Sequence, residues 1–360
     1  MKKTVLLLLG TFCYLVGFSQ KLYHYEGKVL SEDGSPVEQA HIYTVGTHNK
    51  GTVTNANGAF SLKCGTPNDT LYISHVAYLP AKHYLSNSSN IKIVLQPSAA
   101  MLEEVTVTAL TAREVVERAI ERLEVNHFVE PVYYEFYSRS VNFSKDSIVN
   151  LLEEFSGYIY QKKNHTTDFS LKKSRMSAFS DQGDQMFKER RLISMTELYT
   201  DNIGKYTEDF LDRKRSKNYE YTFKDDVKIM GRACFAIGFT TDRNTYYREG
   251  NLYIDKEDFG VLRNELIKGD FKQITFKKVN GKYYLSSTEY LKSRKDYLEN
   301  RSTIYNIVEE PADAEFIDQG RLAPGHAKKI TEEFHDEFWN EFNFIPLPDW
   351  ITGQVNNPTN

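Results

Sequence analysis

The sequence predicts a mainly β protein, in which an antiparallel β-sandwich precedes a curved antiparallel sheet or half-barrel with peripheral helices. Short segments with alternating apolar and polar residues recur along the chain, as in strands that bury one face. Turn-forming residues separate these segments at short intervals. The chain of 360 residues also contains 24 tyrosines and 22 phenylalanines, which suit pleated surfaces. Together these observations favour sheets over helical bundles.

Residues 1–19 are expected to be an export signal. Lys2 and Lys3 precede an apolar run that is short for a membrane span, and Ser19 offers a small residue before a cleavage site. We therefore expect an exported protein, located in the periplasm or at the periplasmic face of the outer membrane.

Residues 22–109 are predicted to form the β-sandwich. The candidate strands cover residues 22–30, 39–45, 51–62, 70–75, 91–95 and 104–108. The segment 51–62 reads as a hairpin around Asn57-Gly58, because both residue types tolerate positive φ.

This region resembles the carboxypeptidase-regulatory-like domain, a prealbumin-like sandwich. The matching positions are Gly27, Lys28, Val29, Gly34, Pro36, Ala40 and the stretches 51–62 and 71–78. Asn55 and Ala77 depart from the family pattern, which usually has aspartate and glycine there. Such domains precede TonB-dependent receptors and many other Bacteroidetes envelope proteins. The resemblance implies an envelope protein and no peptidase activity.

Residues 110–128 are predicted to form a linking helix. Thr111 can cap its first turn, and Glu114 completes a capping box. Val115, Ala119 and Leu123 recur every four residues, so the helix should lie with this apolar stripe against another element.

Residues 129–350 are predicted to form the curved sheet, with an insertion near 180–218 and a tail at 351–360. The candidate strands cover residues 131–139, 148–160, 219–223, 227–239, 246–254, 260–268, 272–279, 282–290 and 303–308. Asn280-Gly281 predicts a hairpin. The strand, acidic turn and strand at residues 250–265 resemble the half-barrels of LolA/LolB-like lipoprotein carriers. The whole region also resembles an uncharacterised Bacteroidetes group, which implies an architecture without an activity.

Several aromatic residues of this region are candidates for lining a cavity that holds an apolar ligand. They are Tyr133, Tyr134, Phe136, Tyr137, Tyr246, Tyr247 and Tyr253. The alternative interpretation is an ordinary β-core, since aromatic side chains suit buried pleated surfaces.

No motif predicts catalysis. The sequence lacks His-Glu-x-x-His, Gly-x-Ser-x-Gly, a phosphate loop and a dinucleotide fingerprint. We therefore predict no catalytic residue, no metal and no cofactor. The formal charge of −4, with charges of both signs interspersed, predicts no binding to nucleic acid and gives no footprint for an anionic membrane surface. Cys64 and Cys234 are expected to be buried thiols.

The leading hypothesis is a non-enzymatic envelope binding or assembly protein. Its sandwich would dock an unidentified partner by β-addition. The candidate docking strand comprises Glu104, Val105, Thr106, Val107 and Thr108. One alternative is a carrier of a lipid or lipoprotein, peripheral to the outer membrane, and another is an unrecognised hydrolase. Ser147 and Thr70, each preceded by aspartate, are candidates for O-glycosylation of the Bacteroidetes type.

Overall fold

The computed structural model describes residues 23–44, 51–64, 69–75, 77–85, 90–97, 110–162, 167–183, 185, 209–318 and 345–356. Within these ranges the protein is mainly β, as predicted, with two small sheets, one large curved antiparallel sheet and few helices. The predicted docking strand at 104–108 and much of the predicted insertion near 180–218 lie outside the described residues. The predicted domain boundaries stay predictions.

The first seven strands form two small sheets. The strands are β1 (Tyr23–Ser31), β2 (His41–Thr44), β3 (Gly51–Val53), β4 (Ala59–Cys64), β5 (Thr70–His75), β6 (Tyr78–Tyr84) and β7 (Asn90–Leu95). One sheet has the order β4-β1-β7, and the other has the order β3-β2-β5-β6. We call the first the outer sheet and the second the inner sheet, because the inner sheet contacts the rest of the protein.

Side-chain alternation forms the core between these two sheets. In β1, Gly27 and Val29 are buried while Glu26 and Lys28 are exposed, as expected for a strand that buries one face. A Cβ on Gly27 would lie 2.2 Å from the backbone oxygen of Ile91, so the parallel pairing of β1 with β7 requires glycine there. The core also contains Ile42, Phe60, Leu62, Leu71, Ile73 and Ile93.

The turn at Asn57-Gly58 is present, but the hairpin predicted around it is wrong. Gly58 has a φ of +68°, and its N–H donates to the Asn55 carbonyl oxygen at 2.8 Å. The flanking strands belong to different sheets, since β3 pairs with β2 while β4 pairs with β1. The chain crosses between sheets at this turn, and strand alternation alone cannot distinguish such a crossing from a hairpin.

Helix α1 (Ala112–Asn126) starts at the predicted capping box. The Thr111 hydroxyl accepts from the Glu114 N–H at 3.2 Å, and the Glu114 carboxylate accepts from the Thr111 N–H at 2.7 Å. Val115, Ala119 and Leu123 are buried in a core shared with the large sheet. The cap and the apolar stripe thus confirm the predicted helix.

Twelve strands form the large sheet. They are β8 (Val132–Ser144), β9 (Val149–Gln161), β10 (Thr167–Ala178), β11 (Glu220–Phe223), β12 (Val227–Ile229), β13 (Arg232–Thr240), β14 (Glu249–Asp255), β15 (Val261–Leu266), β16 (Phe271–Val279), β17 (Lys282–Ser293), β18 (Tyr297–Val308) and β19 (Ile317–Asp318). The order is β11-β13-β14-β15-β16-β17-β18-β8-β9-β10-β19, and β12 pairs with β13. The pairing of β18 with β8 brings the two ends of this region together.

Two turns in this sheet compare differently with the sequence. The predicted hairpin at Asn280-Gly281 is confirmed, with φ values of +49° and +80° and Val279 opposite Lys282. The single strand predicted over residues 227–239 is wrong. Met230 and Gly231 also have positive φ, so the chain reverses there and forms β12 and β13. Methionine rarely occupies such a turn, so the alternating pattern of the sequence does not indicate one there.

The two faces of the large sheet have different neighbours. On one face, which we call the helix face, α1 packs over residues such as Leu252 and Ile274. Leu252 lies opposite Asn264 in the pairing of β14 with β15. Arg263, the preceding residue, therefore points to the opposite face. We call this opposite face the sandwich face, because the inner sheet lies on it.

Residues 345–356 also lie on the sandwich face and include helix α2 (Asp349–Asn356). Ile351 is buried with Val141, Val149 and Leu152 of strands β8 and β9. We call residues 345–356 the C-terminal strap, because they contact both the sandwich and the large sheet.

Candidate functional site

The sandwich meets the large sheet through its inner sheet, and we call this contact the junction. The Ser74 hydroxyl on β5 accepts a hydrogen bond from the Met230 N–H at 2.6 Å. The Gly51 N–H on β3 donates to the side-chain oxygen of Asn306 on β18 at 3.1 Å. Because β12 and β18 are far apart in the strand order, the sandwich is held at two separate places.

Arg263 on β15 is buried inside the junction. Its Nη2 atom lies 3.2 Å from Nε2 of His41 on β2. Its Nε–H donates to the Thr275 hydroxyl at 3.2 Å, and Nη1 lies 3.8 Å from a carboxylate oxygen of Glu265. The guanidinium therefore connects the sandwich to β15 and β16 of the large sheet.

The histidines at the junction are neutral. Burial, followed by the charge of Arg263, lowers the pKa of His41 well below 6.5. The same two causes lower the pKa of His75 to about 4. Since arginine can only donate, Nε2 of His41 accepts the hydrogen bond from Arg263.

Glu289 on β17 places a carboxyl group with an unusual pKa on the same face. Burial and the nearby carboxylate of Glu38 raise its pKa to about 7, although Arg263 acts in the opposite direction. Glu38 belongs to the sandwich, and burial also raises its pKa. The junction therefore contains a carboxyl group on the large sheet whose pKa is raised mainly by burial and in part by a carboxylate of the sandwich.

A hydrogen-bonded row of polar side chains extends from Arg263 along the sandwich face. Glu265 accepts from the Tyr253 hydroxyl at 2.9 Å and from the Asn251 side-chain amide at 3.0 Å. The Asn251 side-chain oxygen in turn accepts from the Lys224 ammonium at 2.6 Å. Burial and the Glu265 carboxylate raise the pKa of Tyr253, which keeps this hydroxyl a donor.

The C-terminal strap closes the junction at its other end. The Asn55 side-chain amide donates to the carbonyl oxygens of Pro346 and Leu347 at 3.0 and 3.2 Å. The Asn57 side chain accepts from the Asp349 N–H at 2.8 Å. The turn that carries the chain between the two small sheets therefore also binds the strap.

The same strap is fixed to the large sheet by Arg139 on β8. The Arg139 guanidinium donates to the carbonyl oxygens of Ile345 and Pro346, the latter at 3.3 Å. It also lies 3.8 Å from the buried carboxylate of Glu154, which accepts hydrogen bonds from Tyr137 and Arg175. This buried network orients Arg139 toward the strap.

A cleft of about 120 Å³ lies between the sandwich, the large sheet and the strap. Its walls include Glu38, Gln39, Asn55, Arg139, Ser302 and Trp350. Pockets for drug-sized ligands span roughly 300–1,000 Å³, so this cleft suits waters or a small polar group and is too small for a lipid.

The aromatic residues predicted to line one cavity lie on both faces of the large sheet. Tyr134 and Phe136 are on the helix face, in a filled cluster with Ile159, Phe169 and Tyr305. Tyr133, one residue away, points to the other face and stacks on Tyr160 at 4.5 Å between ring centres.

The remaining candidates are also dispersed. Tyr137 is buried against Glu154, and Tyr253 binds Glu265 on the sandwich face. Tyr246 and Tyr247 lie in the loop between β13 and β14. The ring of Tyr247 packs edge-to-face on that of Phe210, with 6.0 Å between the ring centres. No single cavity in one face can be lined by all seven residues. A ligand-binding role for any subset stays a prediction.

The other predicted site residues differ in how accessible they are. Ser147 is exposed in the turn between β8 and β9, with a φ of +62°. Thr70 is the first residue of β5 and is partly buried. Glycosylation stays a prediction that an intact-mass measurement can test. The exposure of Ser147 makes it the more accessible of the two acceptor residues. The residues from Glu104 to Thr108 lie outside the described ranges.

Sequence reasoning missed the residues of the junction. His41 and Arg263 are 222 positions apart, and each lies within an ordinary alternating strand. One weak signal was available, since Arg263 and Glu265 are both charged on the same face of a strand whose other residues are largely apolar. Buried charges of this kind require partners, but the sequence does not say where the partners lie.

Other expectations from the sequence concern metals, cysteines and membrane spans. In the ranges given above, no three His, Cys, Asp or Glu side chains are grouped as metal ligands. Cys64 and Cys234 are buried thiols, as predicted. None of the helices described is long and apolar enough to cross a bilayer.

Several solved structures share weak similarity with this chain. A LolA superfamily protein from Nitrosomonas europaea is 13% identical, with a TM-score of 0.26, over 56% of this chain and 96% of that chain. An outer membrane lipoprotein-sorting protein domain from Vibrio parahaemolyticus, described as putative, is 11% identical, with a TM-score of 0.27, over 59% of this chain and 95% of that chain. A DUF1329 family protein from Desulfovibrio piger is 10% identical, with a TM-score of 0.26, over 61% of this chain and 99% of that chain.

The first of these names is the LolA superfamily that the second region was expected to resemble, but TM-scores this low carry no inference about fold or activity. No curated protein matches the chain. Residues 25–107 match the family model of the CarboxypepD_reg-like domain, which confirms the resemblance noted in the sequence.

Proposed function

We propose that this chain is a non-enzymatic binding or assembly protein of the bacterial cell envelope. In this proposal the large sheet is a scaffold, and the sandwich is the module that captures a partner protein. The protein would act in the periplasm or at the periplasmic face of the outer membrane, as the expected export signal and the matched domain suggest.

The observation that carries the proposal is the one-sided attachment of the sandwich. The inner sheet supplies His41, Gly51 and Ser74 to the junction. The outer sheet has no such role among the described residues, and its Glu26 and Lys92 side chains are exposed. A module fixed through one sheet presents its other sheet in a constant orientation, which lowers the entropic cost of binding.

The outer sheet suits β-addition by an extended segment of the partner. β7 is an end strand of this sheet among the described residues, and its side chains alternate between exposed and buried positions. Backbone groups at such an edge can pair with another chain, while the alternating side chains select its sequence. Residues 104–108 follow β7 in the chain, and docking through them stays part of this proposal.

Photocrosslinking in the native cell tests this function. A photoreactive residue replaces Glu26 or Lys92 on the outer sheet, and Glu121 or Arg122 on the exposed side of α1 provides the control. We expect a discrete crosslinked protein from the outer-sheet positions and none from α1. Equal crosslinking at both places, or none at the outer sheet, would contradict the proposal.

A second variant tests the docking strand. Replacing Val105 and Val107 with lysine should abolish the crosslink from Glu26 without changing the folded protein, as judged by its thermal transition. A crosslink of unchanged intensity would exclude docking through this segment.

A further inference from the structure

One end of the large sheet gathers several turns into a continuous edge, which we call the rim. Neighbouring antiparallel strands reverse direction at each turn, so alternate turns lie at the same end of a sheet. The rim consists of residues 241–248, 267–270, 294–296 and 145–148, which connect β13 to β14, β15 to β16, β17 to β18 and β8 to β9.

Residues 209–218 extend the rim at one corner. The Thr241 hydroxyl donates to the Asn218 carbonyl oxygen at 2.9 Å, and the Thr245 hydroxyl lies 3.3 Å from the Asp209 carboxylate. Phe210 anchors the segment by stacking on Phe239 at 4.1 Å. The segment is thus held beside the loop that carries Tyr246.

Hydrogen bonds also join the next turns along the rim. The Ile267 N–H donates to the Glu249 carbonyl oxygen at 3.1 Å. The Ser293 N–H donates to the Asp270 carboxylate at 3.1 Å, and Arg294 lies 3.3 Å from the same carboxylate. These bonds connect three of the four turns of the rim, so each of the three is positioned by a neighbour.

Exposed apolar side chains are concentrated at this end of the molecule. Nine large apolar side chains are exposed among the described residues, and five of them lie at or beside the rim, between 39% and 53% exposed. These five are Ile148, Tyr246, Ile267, Leu291 and Trp350. Ile148, Tyr246 and Ile267 belong to separate turns, Leu291 lies near the end of β17, and Trp350 belongs to α2, so they are separate projecting points rather than a groove for a single peptide.

The corner of the rim also carries an excess of positive charge. Arg213, Lys214, Lys217 and Arg243 are exposed and form no salt bridge within the ranges described. The nearby carboxylates that likewise form none are Asp212, Glu220 and Asp242, so these four cations face three anions. Arg215 is neutralised by Asp209 at 2.6 Å. This local excess is opposite in sign to the charge of −4 on the whole chain.

We propose that the rim docks on the surface of a lipid bilayer that contains anionic lipids. A plane can touch the apolar tips of several turns at once, whereas a groove-binding partner requires contiguous apolar surface. Tyrosine and tryptophan favour the interfacial region of a bilayer, and exposed lysines and arginines are attracted to anionic headgroups. The rim combines both kinds of side chain at one end of the sheet.

This docking is independent of the proposed capture of a partner by the sandwich, since the two surfaces share no residue. The competing occupant is an acidic protein, which could use the same four cations. It would not require the apolar tips on the other turns, so the two occupants can be separated by variants at the two kinds of position.

Vesicle co-sedimentation tests the proposal with the purified chain. Vesicles of phosphatidylglycerol and phosphatidylcholine are compared with vesicles of phosphatidylcholine alone. The triple variant Arg213→Gln, Lys214→Gln, Lys217→Gln removes charge at the rim. The matched control Lys28→Gln, Lys82→Gln, Lys92→Gln removes the same charge from exposed positions on the sandwich.

We expect the wild type and the control to bind the anionic vesicles equally. Each basic residue near an anionic surface contributes about fivefold in affinity, so the rim variant should bind on the order of a hundredfold more weakly. Tyr246→Ser with Ile267→Ser should weaken the binding that remains at high salt. Failure of the wild type to bind, or equal loss in the rim and control variants, would overturn the proposal. Loss in the charge variant with no effect of the apolar variant would contradict the proposed contact of the apolar tips with the bilayer.

Discussion

At the scale of single residues, Arg263 is a buried charge that joins the sandwich to the large sheet. Its guanidinium is buried and reaches His41 in one layer and Thr275 in the other. Removing one member of a buried charged set is costly, because the remaining groups lose their partners without regaining water. The stability of the junction should therefore depend on this arginine more than on any exposed ion pair.

Arg263→Met should lower the free energy of unfolding by about 3 kcal/mol, the usual cost of breaking a buried ion pair on one side. The measurement is urea denaturation followed by tryptophan fluorescence. Arg243→Met, at an exposed position, is the control and should change stability by less than about 0.5 kcal/mol. Equal effects of the two substitutions would show that Arg263 is not a structural centre of the junction.

Glu289 gives the junction a dependence on pH. Its pKa is about 7 in the folded protein against an ordinary value of 4.5, because it is buried and lies near Glu38. A raised pKa means that the folded protein binds the proton more tightly than the unfolded chain. This contribution to stability is complete below pH 4.5 and is lost as the pH rises through 7.

Glu289→Gln should therefore become more stable relative to the wild type as the pH rises from 4.5 to 7. Since one pKa unit corresponds to about 1.4 kcal/mol, the difference should grow by roughly 1–3 kcal/mol. The lowered pKa of His41 makes the folded protein less stable as the pH falls below 6.5, which is the opposite dependence on pH. Because His41 is present in both proteins, its contribution cancels in the difference between them. A difference that is flat with pH, like that expected for exposed Glu121→Gln, would contradict this account.

At the scale of elements, the C-terminal strap connects the two layers. It receives hydrogen bonds from Asn55 of the sandwich and Arg139 of the large sheet. Ile345 packs with Val53 of the sandwich and Ile304 of the large sheet. An element that touches both layers in this way should stabilise their relative placement.

Ile351→Ala should destabilise the protein by about 2–4 kcal/mol, because it removes a buried side chain from between α2 and strands β8 and β9. Hydrogen exchange should also quicken in the strap before it quickens in the sandwich core. Ile148→Ala is the matched control, since this isoleucine is exposed in the neighbouring turn. A similar small effect of both substitutions would show that the strap is not packed as described.

At the scale of the whole molecule, the parts that the sequence predicted correctly depend on local rules. The capping box at Thr111 and Glu114 and the hairpin at Asn280-Gly281 each need only a few neighbouring residues. The sandwich was identified because its turns and strands follow a family pattern. For the cap and the hairpin, the determining contacts lie within one element or between consecutive elements.

The junction could not be predicted, since its contacts join residues that are far apart in the chain. Asn55 was noted only as a departure from a family pattern, yet it binds the strap 291 positions away at Pro346. The crossing of the chain between the two small sheets at Asn57-Gly58 could not be predicted either. It depends on which sheet each flanking strand joins, and packing between the sheets decides this. The alternation of apolar and polar residues predicts strands. It does not predict which strands pair, or which residues contact a buried charge, because these contacts form only in the folded protein.

Native mass spectrometry of the protein, purified gently from its own cells, tests the central claim that it binds a protein partner. The account expects a complex of defined stoichiometry between the chain and a second protein, and this complex should be lost when Val105 and Val107 are replaced by lysine. A chain that carries no protein and retains one lipid per molecule would contradict the account and establish the carrier function instead.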